Sequence, residues 1–177
     1  MKDYSPGEKV SCSVRGFFHH LQSALSVHGV RLSLSVPEEM AVALSTEAFS
    51  LLALNLTQFA YLFEGADQIL VEAKEEDGEG KLSFSFEDQN SFGEMLQTLL
   101  CTEKDTVPDA LLSTPLFCAL CLCREENIAF RFYEEKGRLV FSLSLPLAVT
   151  LPAAFLADVG AEEVRKLLNL EKEWFSR

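Results

Sequence analysis

TEAFSLLALNLTQFAYLF, residues 46–63, is the stretch on which the fold turns. Its apolar residues Phe49, Leu52, Ala53, Leu56, Ala60 and Phe63 recur at helical spacing and predict one continuous buried face. Thr46 or Ser45 is placed to cap the start, and Glu47 suits the positive end of the first turn. A second stripe carries Leu51, Asn55, Phe59 and Leu62. Asn55 is its only strongly polar member, and an amide inside a helix needs hydrogen-bond partners or an opening. Gly65 ends the helix.

On the N-terminal side, residues 10–28 read as an amphipathic helix with Val14, Phe17, Phe18, Leu21 and Leu25 on one side and Gly29 as its stop. VRLSLSV, residues 30–36, alternates with period two and reads as a half-buried strand; residues 40–44 read as a second short strand. On the C-terminal side, residues 68–76 and 81–88 read as a hairpin around the turn DGEG, residues 77–80. Residues 92–101 suit a short helix and 102–109 a polar loop. Residues 114–127 read as a helix with Pro115 in its first turn. Residues 128–135 and 138–147 form a second hairpin around Lys136 and Gly137. A last helix is expected over residues 161–175, with Val164, Leu167, Leu168, Leu170 and Trp174 broadly on one side.

Hairpins make the sheet mixed and mostly antiparallel, and helices between hairpins cover one face of it. The expected class is therefore α+β, a two-layer sandwich with about five or six strands. Residues 1–8 read as a lead-in, 9–149 as one domain and 150–177 as a C-terminal helical extension.

The chain has 177 residues, 48% hydrophobic and 24% charged, a globular composition with enough length for a core. Its formal net charge of −12 argues against nucleic acid or an anionic membrane as partner, since both reward excess Lys and Arg. The N-terminal MKDYSPGEK lacks the apolar run of a secretory leader, and no apolar stretch is long enough to span a membrane. With an odd cysteine count of five, the expectation is a reducing cytoplasm.

The order of elements resembles the histidine-kinase-like ATPase family, the Bergerat fold, from about Lys9 to Leu147. NLTQFA, residues 55–60, stands where that family has its N box, NL followed by two residues and NA. FSFED, residues 84–88, resembles the strand leading to the G1 box, whose Asp reads adenine. TPLFCALC, residues 114–121, stands at the glycine-rich G2 box, and VFSLSLPL, residues 140–147, resembles the closing strand. The resemblance implies a remnant adenine pocket at Asn55 and Asp88. It also exposes departures. The magnesium-binding Asn falls on Phe59 and a phosphate-facing Lys on Leu62. Asn90 and Phe92 replace glycines of the first loop, with Gly93 one position late. Thr114, Pro115 and Phe117 replace those of the second. Without glycine the backbone approaches phosphate at a steric cost, and Pro donates no N–H.

The expectation is a degenerate ATPase domain of bacterial signal transduction, with no catalytic residue, no metal and no cofactor, that binds a kinase, a response regulator or a second copy of itself as a homodimer. The alternative is an ATP- and magnesium-using kinase of the sensor-kinase or anti-sigma type with a remodelled site. FHHLQSAL, residues 18–25, faintly resembles a phosphoacceptor box around His19, but too few residues separate it from the N box, and His19 and His20 read as the polar edge of a helix. Cys118, Cys121 and Cys123 read as small buried residues rather than zinc ligands, because one helix cannot aim all three at a point.

Overall fold

The computed structural model describes residues 12–89, 92–94, 96 and 114–148. The expected lead-in, the 102–109 loop and the helical extension lie outside the described residues.

A short strand β1 (Cys12–Ser13) leads into helix α1 (Val14–Ser26). The helix begins later than its apolar spacing suggests because Ser13, extended in backbone, caps it by accepting from the Gly16 N–H at 3.2 Å. Its far end closes with Gly29 at φ +76° and a bond from the Val30 N–H to the Leu25 carbonyl, a Schellman arrangement. Strands β2 (Arg31–Ser35) and β3 (Ala41–Val42) follow. Helix α2 (Thr46–Gln58) is capped by Ser45, whose hydroxyl accepts from the Ala48 N–H.

The stretch 46–63 is not one uniform α-helix. After Gln58 it widens into a π-helical turn (Phe59–Phe63), with the Glu64 N–H bonded to the Phe59 carbonyl five residues back. The wider turn rotates the side chains beyond Phe59. Phe63, expected on the buried face, is consequently 42% exposed, and Leu62 is 48% exposed.

Strands β4 (Gln68–Glu76) and β5 (Glu79–Glu87) form a hairpin. Its turn is tighter than DGEG: only Asp77 and Gly78 are unpaired, both at positive φ, as a two-residue turn matched to strand twist requires. Helix α3 (Pro115–Glu125) precedes a second hairpin of the same kind, β6 (Ala129–Glu135) and β7 (Arg138–Pro146), closed by Lys136 and Gly137.

The main sheet has five strands in the order β2-β4-β5-β7-β6. The β2–β4 pair is parallel and the others antiparallel; β1 and β3 form a small separate pair. Registered rows such as Val71–Phe84–Phe141–Phe132 face the helices. The alternate residues, among them Glu72, Lys74, Ser83, Ser142 and Arg131, line a shallow polar groove of about 590 Å³ on the opposite face. Among the described residues the helices thus cover one face, giving the two-layer α+β sandwich. Burial of Phe17, Phe18, Leu21, Phe49, Leu52, Leu56, Phe84 and Phe141 in one continuous core holds the layers together.

Candidate functional site

The two residues singled out from the sequence, Asn55 and Asp88, sit on different layers near the C-terminal end of α2. Asn55 is half-buried. Its amide does not reach out from the helix: Nδ2 donates to the Leu51 carbonyl one turn back, at 2.7 Å. Thr57 makes the same kind of bond to the Ala53 carbonyl at 2.8 Å. Such back-bonding satisfies a polar group in a helix without any partner outside it.

Asp88 follows directly on β5 and is half-buried as well. Its Oδ1 accepts from the Phe92 N–H at 2.7 Å and its Oδ2 from the Gly93 N–H at 2.9 Å. The carboxylate therefore caps the helical turn that begins at Phe92. Gly93 is held close to it: a Cβ at that position would lie 2.9 Å from Asp88 Oδ2. Any side chain there would push the carboxylate from its seat, which accounts for glycine at 93.

Between these two residues stands an aromatic group. Phe59 is fully buried. Its ring centroid lies 4.9 Å from Phe92, 5.6 Å from Phe141, 5.8 Å from Phe63 and 6.4 Å from Phe86. The contact with Phe63 is a stack at 8° between planes, made available by the π turn; that with Phe92 is edge-to-face at 66°. Phe59 and Asp88 thus meet through Phe92, whose ring touches the one and whose N–H binds the other. The sequence singled out Phe59 and Phe92 as departures from a pattern, but not as each other's contact. The signal lay in the phenylalanines at Phe84, Phe86 and Phe141, all on the inward side of their strands. Glu64, an acid buried to 1% exposure just beyond the π turn, carried no sequence signal at all.

At the other wall, Thr114 is buried and precedes α3, whose first position is Pro115. That helix start presents one N–H fewer than a helix without proline would. The three cysteines of α3 differ from expectation. Leu116, Ala119 and Cys123 form its buried side, whereas Cys118 and Cys121 fall on the other side and are exposed. Burial pushes the Cys123 thiol up to about 12, which keeps it a protonated core side chain. His19 and His20 are exposed on α1, and Arg15 Nε donates to His19 Nε2 at 3.3 Å. Among the described residues no group of three or more His, Cys, Asp or Glu is arranged to hold a metal ion, and no helix is long and apolar enough to cross a membrane.

With this geometry in place, solved structures give the fold a counterpart. The catalytic domain of histidine kinase ThkA superposes with a TM-score of 0.56 at 13% identity, over 79% of this chain and 96% of that one. The fold is that of a histidine kinase catalytic domain. The ATP-binding domain of PrrB from Mycobacterium tuberculosis matches equally, with a TM-score of 0.56 at 11% identity over 79% of this chain and 98% of that one. ThkA in complex with the response regulator TrrA matches with a TM-score of 0.57 at 12% identity, over 78% of this chain and 42% of that one. No protein-family model matches the chain, and no curated protein sequence does. The Phe59–Phe92 contact lies between the C-terminal end of α2 and the end of β5, which Asp88 follows.

Proposed function

We propose that this chain is a degenerate histidine-kinase-like domain that has given up phosphoryl transfer and serves as a protein-binding module in bacterial signalling, in the cytoplasm. The observation that carries this reading is the Phe59–Phe92 contact at 4.9 Å, with Asp88 turned to capping the adjacent backbone. Phosphoryl transfer relies on positioning and charge neutralisation of the phosphates. Phe59 has no atom that ligates magnesium, Leu62 carries no charge, and Pro115 withholds an N–H at the start of α3. The residues present do not fit magnesium-bound ATP. Both oxygens of Asp88 are engaged with backbone amides, so the carboxylate has a structural task in this chain independent of any nucleotide. ThkA, which shares the fold, is known in complex with a response regulator; a partner of that kind, or a kinase, suits a domain that keeps the fold without the chemistry.

The test is calorimetric titration with ATP and with ADP, each with and without magnesium, beside incubation with γ-labelled ATP. The expected result is no binding that tightens with magnesium and no label on His19 or His20. Micromolar ATP binding strengthened by magnesium would instead establish the second reading, a kinase with a remodelled site. The double change Phe59→Asn with Leu62→Lys is expected to leave the chain inactive, because Phe92 and Pro115 remain.

A further inference from the structure

Among the described residues the sheet ends on one side at β6, which pairs there with β7 alone. In a two-residue hairpin the closing pair, here Glu135 and Arg138, is hydrogen-bonded, and the ladder alternates from there. Arg131, Tyr133 and Glu135 therefore turn their main-chain groups toward β7. Phe130, Phe132 and Glu134 turn theirs outward, as an edge unpaired among the described residues. Along this edge, between α3 and β6, runs an apolar groove of about 650 Å³ lined by Leu120, Cys123, Ile128, Phe130 and Phe132, with Arg124 on its rim. On the other face of the strand Tyr133 is 45% exposed. Among the described residues Arg131 and Glu135 make no ion pair.

We propose that this edge pairs with a second copy of the chain, β6 against β6 and antiparallel about Tyr133, joining two five-stranded sheets into one. The charge pattern of the strand selects the occupant and the register. With Tyr133 on the two-fold axis, Arg131 of each copy stands opposite Glu135 of the other, and no like charges face each other on that side. The main chain of Phe132 then bonds that of Glu134 in the second copy. An edge built only to repel other strands would carry one sign of charge or a proline; this one is complementary to itself. The inference does not depend on whether nucleotide binds.

The test is sedimentation of the full chain over a wide range of concentration. The expected species is a dimer. Arg131→Glu and Glu135→Arg should each weaken it by about tenfold, since symmetry counts each new repulsion twice. The double exchange should restore it. Both residues are exposed, so folding is not at issue, and circular dichroism of each variant verifies this. Independently, Tyr133→Cys with Cys101, Cys118 and Cys121 changed to serine should give a disulfide-linked dimer on mild oxidation, because opposite Cα atoms at a non-hydrogen-bonded pair lie about 4.5 Å apart. A monomer at all concentrations, as expected if residues 150–177 of the same chain cover the groove, would overturn the proposal. So would a dimer indifferent to both reversals, or one that the double exchange fails to restore.

Discussion

Two clusters of phenylalanine rings lie along α2, about ten residues or ~15 Å apart on its axis. The first joins Phe17 and Phe18 of α1 to Phe49 and, through Phe18, to Phe84 of the sheet, with centroids 5.3–6.1 Å apart. All four rings are at most 2% exposed. The second joins Phe59, Phe63, Phe86, Phe92 and Phe141, and it reaches the surface at Phe63 and half-buried Phe92. The first cluster glues helix layer to sheet layer along regular α-helix. The second is built where the helix leaves α geometry, between the π turn and the end of β5. The same residue type therefore does two jobs. At one end it makes the core; at the other it packs the helix end up to the surface.

The largest expected effect tests the first job. Phe49→Ala removes a fully buried ring surrounded by two others and should cost about 4–5 kcal/mol, at the upper end for such truncations, because rigid neighbours cannot collapse into the space. Urea unfolding gives the number, and a cost below that of Phe59→Ala would break the comparison. Phe59→Ala should cost about 3 kcal/mol. Its cavity borders the surface, where Phe63 and Phe92 can move inward. A further measurement sharpens the contrast: a small aromatic solute should raise the melting temperature of Phe49→Ala, whose apolar cavity stays open, more than that of Phe59→Ala, whose neighbours move into the space.

A smaller effect is expected at Asp88. Asp88→Ala leaves the N–H groups of Phe92 and Gly93 without their acceptor and should cost about 1–2 kcal/mol. Amide exchange at Phe92 and Gly93 should speed up in that variant while exchange in α1 stays the same. Equal acceleration at both ends would mean that the two clusters are not separable units.

How much of this was legible in the sequence follows the same division. The first cluster belongs to periodic segments, so helical spacing in residues 14–25 and 49–56 and alternation in 82–86 were enough to place it. Layer order and hairpins followed from the same patterns, with ends displaced by a few residues where Ser13 or Asp77 took a cap or turn position. The second cluster depends on a π turn, and no residue in FAYLF announces a hydrogen bond to the fifth residue back. Helical spacing therefore put Phe63 on the wrong side. Asn55 and Asp88 were identifiable as polar residues at telling positions, but their partners were not. A back-bond to Leu51 and a cap on Phe92 are local choices that become visible only once the backbone is in place.

The smallest expected effect comes from Phe63, and it separates closure from folding most cleanly. The ring is 42% exposed and stacks on Phe59 at 8°. Since much of it already meets water, Phe63→Ala should cost under about 1 kcal/mol, in keeping with a partly exposed aromatic contact. It leaves the seal over Phe59 thinner, however. Quenching of phenylalanine fluorescence is too diffuse to read this, so a reporter is placed beside Phe63: Phe59→Trp in a Trp174→Phe background, measured with and without Phe63→Ala. Acrylamide should quench the introduced indole markedly faster in the double variant, with little change in unfolding midpoint between the two. If Phe63→Ala lowers the midpoint as much as Phe49→Ala does, the second cluster is core like the first, and the distinction between the two ends of α2 fails.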